Sequence, residues 1–150
     1  VFSGSDKGNL AYILKLSKEL EISKNIKYLG FIDESELPVL YKNAISLVMP
    51  TYFGPTNIPP IEALTLSVPI IYSDIPGAKE QLGKAAIYIN LEKNEELSNA
   101  IFLLYRDQKV RDELIKEGRK RLEIMLTKKD RALILEESIK KFAYKKLTWE

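Results

Sequence analysis

The sequence predicts an α/β fold built on a doubly wound parallel sheet, with helices at its C-terminal end. Up to Asn90, short apolar runs alternate with stretches in which apolar residues recur at helical spacing. After Asn90 only the helical spacing continues. Alternating strands and helices of this kind connect by right-handed crossovers, which place helices on both faces of a parallel sheet.

The strands are expected where apolar runs stand between turn-forming residues. These runs cover 26–31, 45–49, 68–72 and 85–89, and Val1 looks like the end of an earlier strand. Helices are expected between the strands, at 10–20, 34–43, 59–67 and 76–82. Three apolar stripes follow, near 97–104, 110–122 and 135–143, and the segment 129–150 is expected to form a closing helix.

The composition excludes several classes of chemistry. The chain has 150 residues, about one domain's worth, and a net charge of +2, which does not favour nucleic acid as a partner. It has no Cys and no His, so disulfides, thiolate metal sites and imidazole catalysis are excluded for these residues. No apolar run is long enough to span a membrane, and we expect a cytoplasmic location.

The loop Pro50–Asn57, which reads PTYFGPTN, is the first candidate site. It lies between a predicted strand and a predicted helix, at the sheet edge where ligands bind in doubly wound folds. The free N–H groups and the dipole of the helix start suit an anion such as a diphosphate. An ordinary turn rich in turn formers is the alternative explanation, and the residues alone do not decide between the two.

Glu62 lies in the first turns of the same predicted helix. Its carboxylate could accept hydrogen bonds from ribose hydroxyls while the helix start holds phosphate. The alternative is a surface glutamate favoured by the helix dipole.

A set of motifs in fixed order resembles the carboxyl-terminal, donor-binding domain of glycosyltransferase family 4, a group of retaining enzymes with the GT-B fold. The resemblance covers residues 1 to about 126 and is carried by seven features. They are Gly30 with Phe31, Leu40 with Tyr41, Asn43 with Ala44, Pro50 with Thr51, the segment Pro59–Ala63, Val68 with Pro69, and Ser73.

The resemblance implies roles for the residues of the loop and the helix. Glu62 matches a family glutamate that binds the donor ribose. The family's other loop glutamate, set near the donor hexose, falls at Gly54, so this chain departs from the pattern there. Thr56 and Asn57 are the polar side chains in reach of the hexose. The predicted diphosphate and sugar contacts are Gly54, Pro55, Thr56, Asn57 and Ile58.

The resemblance also places the nucleobase against backbone groups of Phe31 and Ile32. Asp33, next in the chain, is expected to be a helix N-cap. Ser73 and Asp74 are expected to end a strand and open a turn, and the glycine-bearing loop 3–8 to be a turn. Ser67 stands where the family usually has Gly, so it must accept an uncommon backbone conformation or shift the helix end.

The predicted function is transfer of a hexose from a nucleotide diphosphate sugar to a carbohydrate or lipid-linked acceptor, with retention, in bacterial surface polysaccharide synthesis. Neither a metal nor a cofactor is implied. Residues 1–150 are expected to be the donor domain of a longer protein, lacking its first strand unit and its acceptor domain, and to be inactive alone.

The alternative is a noncatalytic nucleotide-sugar-binding module or a degenerate partner subunit, motivated by Gly54. A response-regulator-like domain is disfavoured because Asp33 and Asp74 make no acidic cluster.

The basic segment Lys140–Lys146, which reads KKFAYKK, allows two interpretations. It can contact an anionic membrane surface at the inner face of the membrane, where a lipid-linked acceptor lies. The alternative, which the interruption by Phe142, Ala143 and Tyr144 at helical positions favours, is an amphipathic closing helix.

Overall fold

The computed structural model describes residues 1–54 and 57–127, which fold as two units divided between Ala44 and Ile45. The first unit contains helix α1 (Leu10–Glu19), a short 3-10 helix (Ser23–Asn25) and helix α2 (Leu37–Lys42). Helix α1 confirms the first predicted helix. Its Ser17 is buried and donates a hydrogen bond to the carbonyl of Leu14.

The strands predicted at the start of the chain and at 26–31 are reduced to one parallel bridge between Phe2 and Tyr28. The amide of Phe2 donates to the carbonyl of Lys27, and the amide of Leu29 donates to the carbonyl of Phe2. Gly30 has a φ of +66°, which lies outside the extended region. Its carbonyl still accepts a hydrogen bond from the amide of Gly4 at 2.7 Å, but the two segments form no regular strand pair. The prediction of a regular buried strand at 26–31 was therefore wrong.

The second unit is built around three aliphatic strands, β1 (Leu47–Met49), β2 (Ile70–Ser73) and β3 (Ala86–Ile89). They are parallel and adjacent in the order β1, β2, β3. All four residues of β2 are buried, as expected for a central strand covered on both faces. The predicted parallel α/β class is thus confirmed.

Helices connect the strands and then complete the unit. They are α3 (Ile58–Thr65), α4 (Ala78–Leu82), α5 (Asn94–Arg106) and α6 (Gln108–Thr127). Helix α6 begins where a carboxylate oxygen of Asp107 accepts hydrogen bonds from the amides of Lys109 and Val110, at 2.9 and 3.2 Å. The predicted closing helix at 129–150 lies outside the described residues.

Different helices cover the two faces of the sheet. On one face, Ile71 and Ile89 pack against Ala100 and Leu104 of α5. Side chains alternate along a strand, so Tyr72 points to the opposite face. Its hydroxyl there bonds to the loop ahead of α3. The loops after β1 and β2 are therefore attached to a central strand that is buried on both faces.

Helix α3 ends in a Schellman motif whose left-handed residue is Ser67. The amide of Val68 donates to the carbonyl of Ala63 at 2.8 Å, and the amide of Ser67 donates to the carbonyl of Leu64 at 3.1 Å. Ser67 has a φ of +59°, a conformation that glycine adopts without steric cost. The expectation of an uncommon backbone conformation at this serine is confirmed.

Candidate functional site

The candidate site is the loop that runs from β1 to α3, together with the first turns of α3. Within the loop, the hydroxyl of Thr51 donates to the carbonyl of Phe53 at 2.6 Å. The side chains of Tyr52 and Phe53 are more than four-fifths exposed. Pro55 and Thr56, two of the predicted contact residues, lie outside the described residues.

The start of α3 offers few N–H donors because of its sequence. Asn57 is the N-cap, with φ −69° and ψ 140°, and Ile58, Pro59 and Pro60 are the first three helical residues. The last two are prolines and have no N–H. Among the described residues of this helix start, only Asn57 and Ile58 carry an N–H that the helix itself leaves unused. Within the described part of the helix start, these two amides are the donors that could bind an anion, next to the positive end of the helix dipole.

The side chain of Asn57 does not cap the helix but bonds back to the loop. Its Nδ2 donates to the carbonyl of Gly54 at 2.8 Å and to the hydroxyl of Tyr72 at 2.5 Å. The Tyr72 hydroxyl in turn donates to the same carbonyl of Gly54 at 3.0 Å. Both Nδ2 hydrogens are thereby used. What the Asn57 side chain can still offer a sugar is its Oδ1 acceptor.

Gly54 approaches Asn57 too closely to carry a side chain. A Cβ atom built on Gly54 would lie 2.4 Å from Oδ1 and 2.5 Å from Nδ2 of Asn57, closer than real Cβ contacts occur. Gly54 also has a φ of +114°, which side-chain-bearing residues rarely adopt. The absence of a side chain at position 54 is therefore matched by the residue at position 57.

A further set of hydrogen bonds connects the loop to α4 and α6. The side-chain amide of Gln81 donates to the carbonyl of Asn57 at 2.8 Å. The guanidinium of Arg121 donates to the carbonyl of Gln81 at 2.9 Å and also to the carbonyl of Glu80. Residues of α4 and α6 thus contribute to the position of the start of α3.

Glu62 lies half-buried in the second turn of α3. It is four residues after Ile58, so both side chains lie on the same side of the helix. The structure therefore places a carboxylate about one helical turn from the amide of Ile58.

The two predicted nucleobase residues belong to the first unit. Phe31 is 86% exposed and Ile32 is half-buried. Asp33 does not cap α2, whose N-cap is Glu36. Its carboxylate instead accepts hydrogen bonds from the amide and hydroxyl of Ser35, at 2.9 and 2.7 Å, and these bonds lower the pKa of Asp33. The expected cap is therefore displaced by one turn, because Asp33 caps the short turn 34–36 that leads into α2, and its carbonyl accepts from the amide of Leu37 at 3.1 Å.

The loop after β2 contains charged and polar groups in a separate arrangement. Lys79 forms an ion pair with Asp74 at 2.8 Å and lies 5.4 Å from the ring centre of Tyr88. Ser73 is buried, and its hydroxyl has no hydrogen-bond partner among the described residues. Burial of Tyr88 raises the pKa of its hydroxyl to about 12.

Residues 1–54 and 57–127 contain neither a cluster of metal-binding side chains nor a membrane-spanning helix. No three Asp or Glu side chains in these ranges lie together so that they could hold a metal ion. No helix in the same ranges has the length and apolar character needed to cross a bilayer.

Sequence reasoning missed Tyr72 and Gln81 as part of the site. A tyrosine inside an otherwise aliphatic buried strand was the available signal, because a buried hydroxyl requires a partner. Gln81 gave a similar signal, since it lies next to buried Leu82 on a short helix. Neither signal names the partner, which for Tyr72 is 15 residues away in the chain.

Comparison with known families gives one match that covers most of the chain. The profile described as "Glycosyl transferases group 1" matches residues 1–121.

Two curated relatives are similar over part of the chain. One is the O-antigen chain mannosyltransferase RfbU of Salmonella typhimurium, 34% identical over 97 residues, which are 63% of this chain and 28% of that protein. The other is O-antigen chain mannosyltransferase B of Escherichia coli, 28% identical over 87 residues, which are 58% of this chain and 23% of that protein. This chain therefore spans about a quarter of the length of these relatives.

Solved structures share the fold. The sucrose-phosphate synthase of Thermosynechococcus elongatus superimposes with a TM-score of 0.76 at 24% identity, covering 94% of this chain and 37% of that one. WaaG, a glycosyltransferase involved in lipopolysaccharide biosynthesis, superimposes with a TM-score of 0.67 at 19% identity, covering 79% of this chain and 32% of that one.

Proposed function

The chain belongs to the glycosyl transferases of group 1, and from this premise we propose that it is the donor-binding part of a longer, retaining hexosyltransferase of family 4. The ligand proposed is a nucleotide diphosphate sugar. The observation that carries the proposal is the start of α3, where two unused N–H groups and a carboxylate one turn later lie on a single short helix. These groups match a diphosphate and a ribose.

In this proposal each group has one task. The amides of Asn57 and Ile58, with the loop residues Gly54, Pro55 and Thr56, hold the diphosphate and the sugar. Glu62 accepts hydrogen bonds from the ribose hydroxyls. Backbone groups of Phe31 and Ile32 hold the base.

The proposed reaction is front-side displacement at the anomeric carbon. The bond from that carbon to the diphosphate oxygen breaks, the acceptor oxygen bonds to the same face, and the acceptor proton passes to the leaving diphosphate. The contribution of this chain is electrostatic, because the two amides and the helix dipole stabilise the negative charge on the departing diphosphate. Cationic groups elsewhere in the longer protein would complete that stabilisation.

We propose a role in bacterial surface polysaccharide synthesis, with a carbohydrate or lipid-linked acceptor, at the cytoplasmic face of the membrane. Support comes from the names of the two curated relatives, both O-antigen chain mannosyltransferases. The basic segment 140–146, which could contact anionic lipid, lies outside the described residues.

The test is calorimetric titration of the full-length protein with UDP and with GDP, followed by Glu62→Gln. A charge-assisted hydrogen bond contributes about 1.5–3 kcal/mol, so the substitution should weaken nucleotide binding about 10-fold or more. Glu123→Gln, at an exposed position of α6, serves as the control. Thermal unfolding of both variants separates a binding effect from a folding effect. Equal affinities for Glu62→Gln and the unmodified protein would rule out the ribose contact.

A noncatalytic nucleotide-sugar-binding module is the second candidate, and Gly54 in place of a carboxylate is the observation that favours it. Turnover of the donor sugar by the full-length protein decides between the two. Nucleotide binding without transfer to any polysaccharide or lipid-linked acceptor would favour the module.

A further inference from the structure

We propose that Asn57 is a positioning residue that fixes the loop ahead of α3 in its donor-binding form, and that Gly54 is glycine because Asn57 requires it. This inference rests on the proposed function of the same loop. It assigns Asn57, Gly54 and Tyr72 to one hydrogen-bonded group, named here the loop lock.

The sequence of α3 explains why Asn57 is available for this task. An N-cap side chain ordinarily accepts a hydrogen bond from the second or third N–H of its helix. In this helix both positions are proline, Pro59 and Pro60, so no such donor exists. Asparagine at position 57 therefore cannot be explained as a helix cap. What distinguishes it from Asp, Ser or Thr is its amide group, which donates two hydrogen bonds.

Both of those hydrogen bonds go to groups that fix the loop. The Asn57 Nδ2 reaches the carbonyl of Gly54, three residues earlier, and the hydroxyl of Tyr72. Tyr72 is fully buried on the central strand, so its hydroxyl is held in place by the core. The loop lock thus attaches the two sides of the loop, Gly54 and Asn57, to β2.

Gln81 adds a second attachment on the backbone of the same residue. Its side-chain amide donates to the Asn57 carbonyl, while Arg121 of α6 holds the carbonyl of Gln81. The side chain of Asn57 is therefore held by Gly54 and Tyr72, and its backbone carbonyl by Gln81. The orientation of its N–H, one of the two donors proposed for the diphosphate, follows from both.

Position 54 completes the arrangement. Any side chain at position 54 requires a Cβ atom, and that atom would lie 2.4 to 2.8 Å from three atoms of the Asn57 amide group. A glutamate at this position would displace Asn57 from Gly54 and from Tyr72. In this chain the side-chain amide of Asn57 therefore holds the loop. It fills the space beside position 54, where the resemblance predicts a carboxylate that contacts the sugar.

The sharpest test is Asn57→Asp in the full-length protein, since it keeps the shape and removes the donor. The aspartate oxygen would face the carbonyl of Gly54 and add negative charge beside the proposed diphosphate site. We expect at least a 10-fold loss of affinity for GDP or UDP, whichever binds the unmodified protein, and faster amide hydrogen exchange in the loop. Asn99→Asp, on the exposed side of α5, makes the same charge change away from the loop and should alter neither.

Tyr72→Phe has a closely matched control in Tyr88→Phe. The two tyrosines are register partners on β2 and β3, and the hydroxyl of Tyr88 also donates to a glycine carbonyl, that of Gly83, at 2.7 Å. Both substitutions remove a hydroxyl that donates to a glycine carbonyl. We expect only Tyr72→Phe to accelerate exchange in the loop and to raise the KM for donor, while kcat falls less.

Gly54→Ala is compared with Gly8→Ala. The two glycines have similar φ, +114° and +103°, but a Cβ on Gly8 would meet nothing within 4 Å. Backbone strain is thus matched, and only the crowding against Asn57 differs. We expect Gly54→Ala alone to weaken nucleotide binding.

The outcomes separate the inference from the proposed function. Failure of the unmodified protein to bind GDP or UDP overturns the proposed function, and with it the positioning role. Nucleotide binding that survives Asn57→Asp and Tyr72→Phe overturns the positioning role alone. Hydrogen exchange in the loop needs no nucleotide, so unchanged exchange in both variants overturns the loop lock itself.

Discussion

Ser67 shows how one residue can hold a strained conformation when its neighbours bury enough apolar surface. Its positive φ lets the amide of Val68 return to the carbonyl of Ala63, and Val68 is only 5% exposed. A non-glycine residue in this conformation costs about 1 kcal/mol or more. The sharp turn is kept because β2 must begin directly after α3.

We expect Ser67→Gly to raise the free energy of unfolding by about 0.5–1 kcal/mol, because glycine relieves the strain but gains entropy in the unfolded chain. The midpoint of urea unfolding measures it. Ser98→Gly, in the exposed interior of α5, should lower stability by a similar amount. A loss of stability for both variants would show that position 67 is not strained.

Because of Tyr88, the free energy of unfolding is expected to fall as the pH rises in the alkaline range. Burial raises its pKa from 10.0 to about 12. The unfolded chain releases this proton near the ordinary pKa while the folded chain keeps it, so the free energy of unfolding falls as pH rises through that interval. Tyr88→Phe should therefore lose less thermal stability than the unmodified protein across this window, as followed by circular dichroism. Exposed Tyr105→Phe is the control and should behave as the unmodified protein does.

Among the elements, α3 and α6 approach each other at Gly118. A Cβ on Gly118 would lie 3.1 Å from a methyl group of Leu64 and 3.9 Å from the Cβ of Ala85. The contact brings α6 onto the helix that begins the candidate site, and Arg121, one turn later on α6, reaches α4. Glycine here serves close packing in a helix that would otherwise disfavour it.

Gly118→Val should therefore destabilise the protein by about 1–3 kcal/mol, since the added methyl groups overpack the contact with Leu64. Chemical denaturation measures this change. Arg119→Val, at the next and exposed position, introduces the same β-branched residue without the contact and should cost less. Equal effects at the two positions would contradict close packing at Gly118.

The elements of the second unit could be predicted from sequence because each aliphatic run is flanked by turn formers. The predicted strand 85–89 is observed as Ala86–Ile89, and the helix expected to start near Pro59 starts at Ile58. The run 26–31 misled the prediction, since Gly30 leaves the extended conformation and Phe31 is exposed. The apolar character of a segment does not by itself determine whether neighbouring strands form hydrogen bonds with it on both edges.

The candidate site was only partly predictable. Residues whose role depends on helix geometry, such as Asn57 and Ile58, could be found from the Pro-Pro start that follows a strand. Tyr72 and Gln81 could not, because their roles depend on contacts between segments distant in sequence. The uncommon backbone conformation at Ser67 was predictable because the resemblance places this serine where the family usually has glycine, directly before Val68 and Pro69.

At the scale of the whole molecule, the chain matches only part of the length of its relatives. It spans 28% of the Salmonella relative and 23% of the Escherichia relative. We predict that the isolated 150 residues bind GDP or UDP more weakly than the full-length protein and transfer no sugar. Calorimetry and a donor-hydrolysis and transfer assay on both proteins measure this. Turnover by the isolated chain with any donor would refute the prediction.

The crowding between Gly54 and Asn57 also has a consequence for how such proteins diverge. A substitution at position 54 is harmful while Asn57 remains, and replacing Asn57 first leaves the Tyr72 hydroxyl without its donor. We therefore predict that a change between a carboxylate-bearing loop and this one involves positions 54, 57 and 72 together. We expect them to covary among relatives, with asparagine and tyrosine accompanying the glycine and both lost where position 54 is acidic.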